Sequence, residues 1–144
     1  MYQRIIVPTD GSEISAKAAD AAVKLAKLCG AAISVISVKE PFPYSAISEM
    51  QPVPPQEFYD AQERIASDRV KAVLAMAQAA GVTADGATVE ALHPWEAILE
   101  HAKTKGADLI VMASHGRRGV AALLIGSETS RTLTHSSLPV LVIK

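Results

Sequence analysis

Two short segments hold the residues whose types and spacing suit chemistry. One is Val111-Met112-Ala113-Ser114-His115-Gly116, followed after nine residues by Gly126-Ser127-Glu128-Thr129. It reads as a buried strand running into a glycine turn, then a loop, then a second glycine that opens a helix. Backbone N–H groups at such a turn and at a new helix N-terminus lack partners, and the helix dipole favours an anion there, so together they suit phosphate oxygens. The other segment, Ile5-Ile6-Val7-Pro8-Thr9-Asp10-Gly11-Ser12, is a strand-to-helix turn that carries a carboxylate. Two such turns in one chain suggest a nucleotide site. The plainer reading is that both are ordinary connections.

Other chemistries find less support. His93, His101, His115 and His135 fall in different elements, and none pairs with another at the i, i+4 spacing of a zinc motif. Ser114 beside His115 mimics a nucleophile pair, but adjacent residues of an extended chain are expected to point to opposite sides. Neither G-x-x-x-x-G-K-[ST] nor G-x-G-x-x-G is present. Asp10 suits a water-mediated Mg²⁺ contact and is too sparse for an all-protein metal site.

The elements that must position these turns alternate along the chain. Arg4–Pro8 is a short apolar run, Ser12 is an N-cap, and Ile14, Ala18, Ala21, Leu25 and Leu28 recur at helical spacing until Gly30. Ala32–Val38 reads as a strand. Pro41, Pro43, Pro52, Pro54 and Pro55 then make Glu40 to Gln56 a long irregular loop. A long helix follows, with Phe58, Ala61, Ile65, Ala72, Val73, Met76 and Ala80 on one side and Gly81 as its stop. Ala87–Leu92 is the next strand, and Pro94 opens a helix that ends at Gly106. Ala107–Ala113 has an unbroken apolar core and reads as a central parallel strand. A helix from Ser127 to Ser136 and a strand from Pro139 to Ile143 close the chain. The reading is one α/β domain over residues 1–144: a Rossmann-like, open, mostly parallel five-stranded sheet with helices on both faces. Right-handed crossovers bring the turns after strands one and four to the same carboxyl edge, flanking the switch in winding direction where ligands bind.

Composition bounds the function. The chain has 144 residues, 49% hydrophobic and 20% charged, which fits a packed globular protein and excludes wholesale disorder. A net charge of −1, with Arg117-Arg118 the only arginine doublet, argues against nucleic acid. The lone cysteine, Cys29, cannot form an internal disulfide and is expected to be a buried thiol in a reducing compartment. No basic-apolar leader and no bilayer-length apolar run is present, so the expectation is cytoplasmic, with no membrane partner.

The spacing Ala113-x-x-Gly116, nine residues, Gly126-Ser127 resembles the universal stress protein family, whose ATP-binding members carry glycine, two residues, glycine, nine residues, glycine and serine or threonine. The resemblance runs the length of the chain. It takes in Ile6-Val7-Pro8-Thr9-Asp10, Val38, Pro94-x-Glu96-x-Ile98, Ala107 to Met112, Ser114-His115-Gly116 and Leu138 to Val142. It implies that Pro8-Thr9-Asp10 lies against adenine and ribose, with Asp10 accepting from the ribose hydroxyls, and that the Val38 backbone reads the adenine edge. Met112 and Ala113 would pass under the ribose, while Gly116, Gly126, Ser127 and Thr129 would cradle phosphates. Arg117 and Arg118 are expected to reach phosphate oxygens from the loop. The implied ligand is ATP or ADP, with Mg²⁺ as its companion.

Two departures bear on that ligand. Ala113 puts a methyl group where the family's ATP binders have glycine. If the position needs positive φ or close ligand contact the methyl weakens binding, and if it is ordinary extended chain the methyl is harmless. Glu128 stands where an apolar residue is common; its charge favours a helix start but repels a phosphate if it points inward. The last strand, Val140 to Ile143, is apolar on both faces, and a bare apolar edge invites pairing with a second copy. The resemblance implies the same antiparallel homodimer. The resulting expectation is a universal stress protein binding ATP or ADP as a regulatory ligand, with at most slow hydrolysis and no catalytic residue assigned. Its alternative is a member without nucleotide binding that acts through protein–protein contacts.

Overall fold

The computed structural model describes residues 1–41, 55–116 and 125–144. Nine elements alternate: β1 (Arg4–Pro8), α1 (Glu13–Cys29), β2 (Ala32–Lys39), α2 (Gln56–Ala79), β3 (Ala84–Glu90), α3 (Pro94–Lys105), β4 (Leu109–Ala113), α4 (Ser127–His135) and β5 (Val140–Ile143). The five strands form one sheet in the order β3-β2-β1-β4-β5, every neighbouring pair parallel. Winding therefore reverses between β1 and β4, as the order of elements implies.

Residue alternation splits the core. Ile5, Val7, Ile33, Val35 and Val111 face α1 and α2, while Ile6, Ile36, Ile110 and Met112 face α3. Burying each such side chain contributes roughly 1.5–3 kcal/mol before entropy is counted. β4 is buried along its whole length, as its unbroken apolar run predicts for a strand covered on both faces.

Local signals fix several element ends. The Ser15 N–H donates to Ser12 Oγ at 3.2 Å and caps α1, which ends at Gly30. Pro94 occupies the first turn of α3, and Gly106 closes it.

Other expectations need correction. On α1 the buried face is Ala18, Ala19, Ala22, Val23 and Ala26, and Leu28 is 85% exposed. On α2 it is Ala66, Val70, Val73 and Ala77, leaving Ile65 42% exposed and Ala72 outside the core. In both helices small residues allow close approach to the sheet and displace the larger side chains to the flanks. β3 begins at Ala84, three residues earlier than expected, because Ala84-Asp85-Gly86 pairs with Ile33-Ser34-Val35 despite weak strand propensity. β4 begins at Leu109; Asp108 accepts from the Gln3 and Arg4 amides and ties the chain down before the strand. Cys29 is partly buried against the α1–α2 core. Most of the proline-rich stretch, residues 42–54, and Arg117 and Arg118 lie outside the described residues.

Candidate nucleotide site

Pro8 opens the cleft. Ile5 pairs with Leu109 and Ile6 with Ile110, whereas β4 continues to Ala113 in register with β5. The Asp108 N–H donates to Arg4 O, so by alternation the backbone groups of Ile6 and Pro8 also point toward β4, and at Pro8 there is no N–H to donate. Above Ile6 the two central strands are thus free to separate. Thr9 meanwhile keeps β1 tied to β2 by donating its N–H to Ile36 O at 2.9 Å.

The turn after β1 is held by its own side chains. The Gly11 N–H donates to Thr9 Oγ1 at 3.3 Å, and the Ser12 N–H donates to Asp10 Oδ1 at 2.9 Å. Thr9 Oγ1 also lies 3.4 Å from the buried Ser15 Oγ. Gly11 has φ +77, a conformation that side-chain-bearing residues rarely adopt. Asp10 turns its second oxygen toward β4: a Cβ built on Gly116 would stand 2.6 Å from Asp10 Oδ2. The two turns singled out in the sequence therefore meet at the switch point, carboxylate against bare backbone.

The turn after β4 is stitched to α4. The Gly126 N–H donates to Ser114 O at 2.7 Å, and a Cβ on Gly126 would lie 3.1 Å from His115 Cα, so any side chain there would press on the turn after β4. Gly126 has no side chain with which to cap α4, so the N-cap residue supplies no side-chain acceptor to the first amides of that helix. The Thr129 hydroxyl donates to Ala113 O at 2.8 Å and is 3% exposed, so it joins α4 to β4; only its backbone amide remains for an anion. Glu128 is directed elsewhere too. Its Oε2 accepts from the Trp95 N–H at 2.9 Å and caps α3, and its Oε1 lies 3.8 Å from Arg131. The carboxylate is held at a neighbouring helix N-terminus, where its charge is favourable.

Ala113 is the last residue of β4, 8% exposed, and no described residue other than glycine has positive φ. Its methyl group thus carries no backbone strain. Met112 is buried beside it, and Val38 is half-buried near the end of β2, packed against the α3-side core. Two strand spacings separate β2 from β4, roughly 10 Å across this edge. Pro8, Thr9, Asp10, Val38, Met112, Ala113, Gly116, Gly126 and Ser127 all lie at that edge; Arg117 belongs to the stretch outside the described residues.

Two features escaped the sequence reading. Ser114 Oγ and His115 Nδ1 lie 3.1 Å apart, because the chain bends directly after β4 and adjacent side chains no longer diverge. Arg69 of α2 lies across Gly11, a contact between distant segments with no local signature. Among the described residues no group of three His, Cys, Asp or Glu is placed to hold a metal, and no helix is long and apolar enough to cross a membrane. A separate cavity of about 530 Å³ runs between α3 and the α4–β5 connection, walled in part by the stacked rings of Trp95 and His135, 4.4 Å apart. It shares no residue with the two turns.

Of the groups with shifted pKa values, Glu63 is lowered by hydrogen bonds from Lys39 and Thr88 near the carboxyl ends of β2 and β3, whereas His101 and Asp85 lie away from that edge. Burial, and then the Lys105 charge, hold His101 below its ordinary value, with Asp85 pulling the other way. Burial alone would raise Asp85; the Ser34 hydrogen bond and the charges of Lys105 and Arg4 outweigh it and lower the pKa. Arg4 Nη1 lies 3.0 Å from Asp85 Oδ2 and donates to Ser34 Oγ at 2.8 Å, joining β1, β2 and β3 at the amino edge.

Comparison with known proteins gives this geometry its context. The model of the universal stress protein family matches residues 1–144. Universal stress protein MJ0531 of Methanocaldococcus jannaschii is 32% identical over 100% of this chain and 83% of its own. Among solved structures, MJ0577 of the same organism superposes with a TM-score of 0.84 at 26% identity, covering 100% of this chain and 96% of that one. A universal stress protein in complex with cAMP superposes with a TM-score of 0.74 at 26% identity, covering 99% and 97%. With its parallel sheet reversing between β1 and β4 and its two turns meeting at Asp10 and Gly116, the chain belongs to the universal stress protein family.

Proposed function

We propose that this protein binds ATP or ADP as a regulatory ligand in the cleft between β1 and β4, in a cytoplasmic stress-response role. The observation that carries the reading is the approach of Asp10 Oδ2 to Gly116, beside an α4 N-terminus whose N-cap is a glycine with no side chain to cap it. A carboxylate suits a ribose diol, and glycine lets backbone amides close on phosphate. In this reading Asp10 accepts from the ribose hydroxyls, and the Val38 backbone meets the adenine edge. Met112 and Ala113 underlie the ribose. The amides of Gly116, Ser127, Glu128 and Thr129, with the Ser127 hydroxyl, hold the phosphates, and Arg117 adds charge from the loop. The relative in complex with cAMP supports an adenine nucleotide.

These residues fit a nucleotide with Mg²⁺ held through phosphate and water. They fit a hydrolase poorly, since one Asp10 oxygen is engaged by the Ser12 amide and Glu128 caps α3. Hydrolysis is at most slow. A homodimer through Val140–Ile143 belongs to the same reading, because β5 is a sheet edge whose Leu141 is 42% exposed.

A second reading, action through protein–protein contacts without nucleotide, draws on Ala113 in place of the first glycine of the family pattern. Mass spectrometry of small molecules released from freshly purified, denatured protein separates the two. Stoichiometric ATP or ADP is the expected result. A protein that releases none, and takes up none on incubation with millimolar ATP, would favour the second reading.

A further inference from the structure

We propose that Arg69 is a positioning residue of the Asp10 turn, acting through Gly11 and thereby setting how strongly the site selects a ribose diol. The proposal rests on the nucleotide reading. Gly11 is the one residue between Asp10 and Ser12, and its φ of +77 leaves open the side on which a Cβ would stand. Arg69 fills that side: Nε, Cγ and Cδ lie 3.0, 3.1 and 3.3 Å from the position of such a Cβ. The stem of the arginine covers the turn from outside, while Thr9 Oγ1 and Asp10 Oδ1 hold it from inside.

The base of that stem is itself fixed. Val70, the next residue, is buried, and a Cβ on Gly86 of β3 would overlap Val70 Cγ1. The absence of a side chain at Gly86 thus seats Val70 on the sheet, and Arg69 follows it onto Gly11. A mechanical chain runs from β3 through α2 to the Asp10 turn. The guanidinium is always charged and pre-organised, so it also brings a fixed positive charge to the turn that presents Asp10. Hydrogen bonds from a diol to a carboxylate need both partners oriented. A loosened turn therefore loses the diol before it loses base or phosphates.

The test compares ATP with 2′,3′-dideoxy-ATP, which lacks both hydroxyls, on the full chain carrying Arg69→Ala or Arg69→Lys. The unmodified protein should prefer ATP. Arg69→Ala should weaken ATP binding by about fivefold, the worth of one ordinary hydrogen bond, and leave dideoxy-ATP within about twofold. Arg69→Lys, which keeps stem and charge, should restore the preference. Hydrogen exchange on the nucleotide-free protein should show faster exchange at Gly11 and Ser12 in Arg69→Ala, with the middle of α1 unchanged. Equal loss for both nucleotides, or no loss for either, would overturn the proposal, as would unchanged exchange at the turn. If the unmodified protein bound neither nucleotide, the nucleotide reading would fall, and with it the diol selection proposed for Arg69.

Discussion

Asp10 Oδ2 and Gly116 are in contact across the switch point, so close that a methyl group on Gly116 would stand 2.6 Å from the oxygen. These residues are 106 positions apart in the chain and lie in the turns that follow the two central strands, whose pairing stops at Ile6 and Ile110. The contact joins the carboxylate of one turn to the backbone of the other, and any ligand that uses both must sit on it.

Gly116→Ala follows directly. The added methyl must displace the Asp10 carboxylate, a side-chain end that can move at modest cost in stability but then leaves the position the ligand would meet. ATP affinity is expected to fall about tenfold or more, the equilibrium equivalent of 1.4 kcal/mol at a contact the ligand shares. Calorimetric titration beside a thermal melt checks both, and an alanine variant that binds and melts like the unmodified protein would remove Asp10–Gly116 from the site.

Ala113→Gly should leave ATP affinity within about twofold while lowering stability by roughly 0.5–1 kcal/mol, the backbone-entropy cost of glycine in a strand. The reason is the extended backbone of Ala113, free of positive φ. Equilibrium denaturation and titration of the variant provide the check. A large gain in affinity would mean that the methyl crowds the ligand.

Much of the frame was legible in the chain. The Ser12 cap, Pro94, Gly30 and Gly106 are local signals that act within one turn, and the alternation of elements fixed the position of the switch. The two helix faces depart from the apolar periodicity because alanines, not the larger Leu28 and Ile65, meet the sheet. β3 was placed late because Ala84-Asp85-Gly86 is held by its pairing with β2 and not by its own propensity. Glu128 shows the limit most clearly. Its type and position leave its direction open, and only its contact with the Trp95 amide, 33 residues away in sequence, sends it to α3. Arg69 over Gly11 is of the same kind.

The edge strand gives a separate prediction. If β5 pairs with a second copy, Val142→Asp should shift the protein from dimer to monomer, and Val142→Pro should do so as well, because Pro139 O and Ile143 O face β4 and the Val142 N–H therefore points to the free edge. Sedimentation velocity at tens of micromolar reads the outcome. A clean monomer in the unmodified protein, or a dimer that survives both changes, would place no interface at β5.

His101 sets a pH dependence. Its Nε2 is buried without a hydrogen-bond partner among the described residues, and its folded pKa lies below the ordinary 6.5. The folded state then binds the proton less readily than the unfolded chain, so stability is full above about pH 6.5 and declines as pH falls below it. Denaturant midpoints between pH 5 and 8 should show that slope, and His101→Leu should flatten it. A slope unchanged in the variant would assign the dependence to other groups.

Calorimetric titration with ATP and Mg²⁺, on the unmodified protein and on Asp10→Ala, tests the central claim most directly. One site per chain in the micromolar range is expected, with a loss of tenfold or more when Asp10 is removed, as for charge-assisted hydrogen bonds worth about 1.5–3 kcal/mol. No heat and no thermal stabilisation at millimolar ATP, or binding indifferent to Asp10, would contradict it.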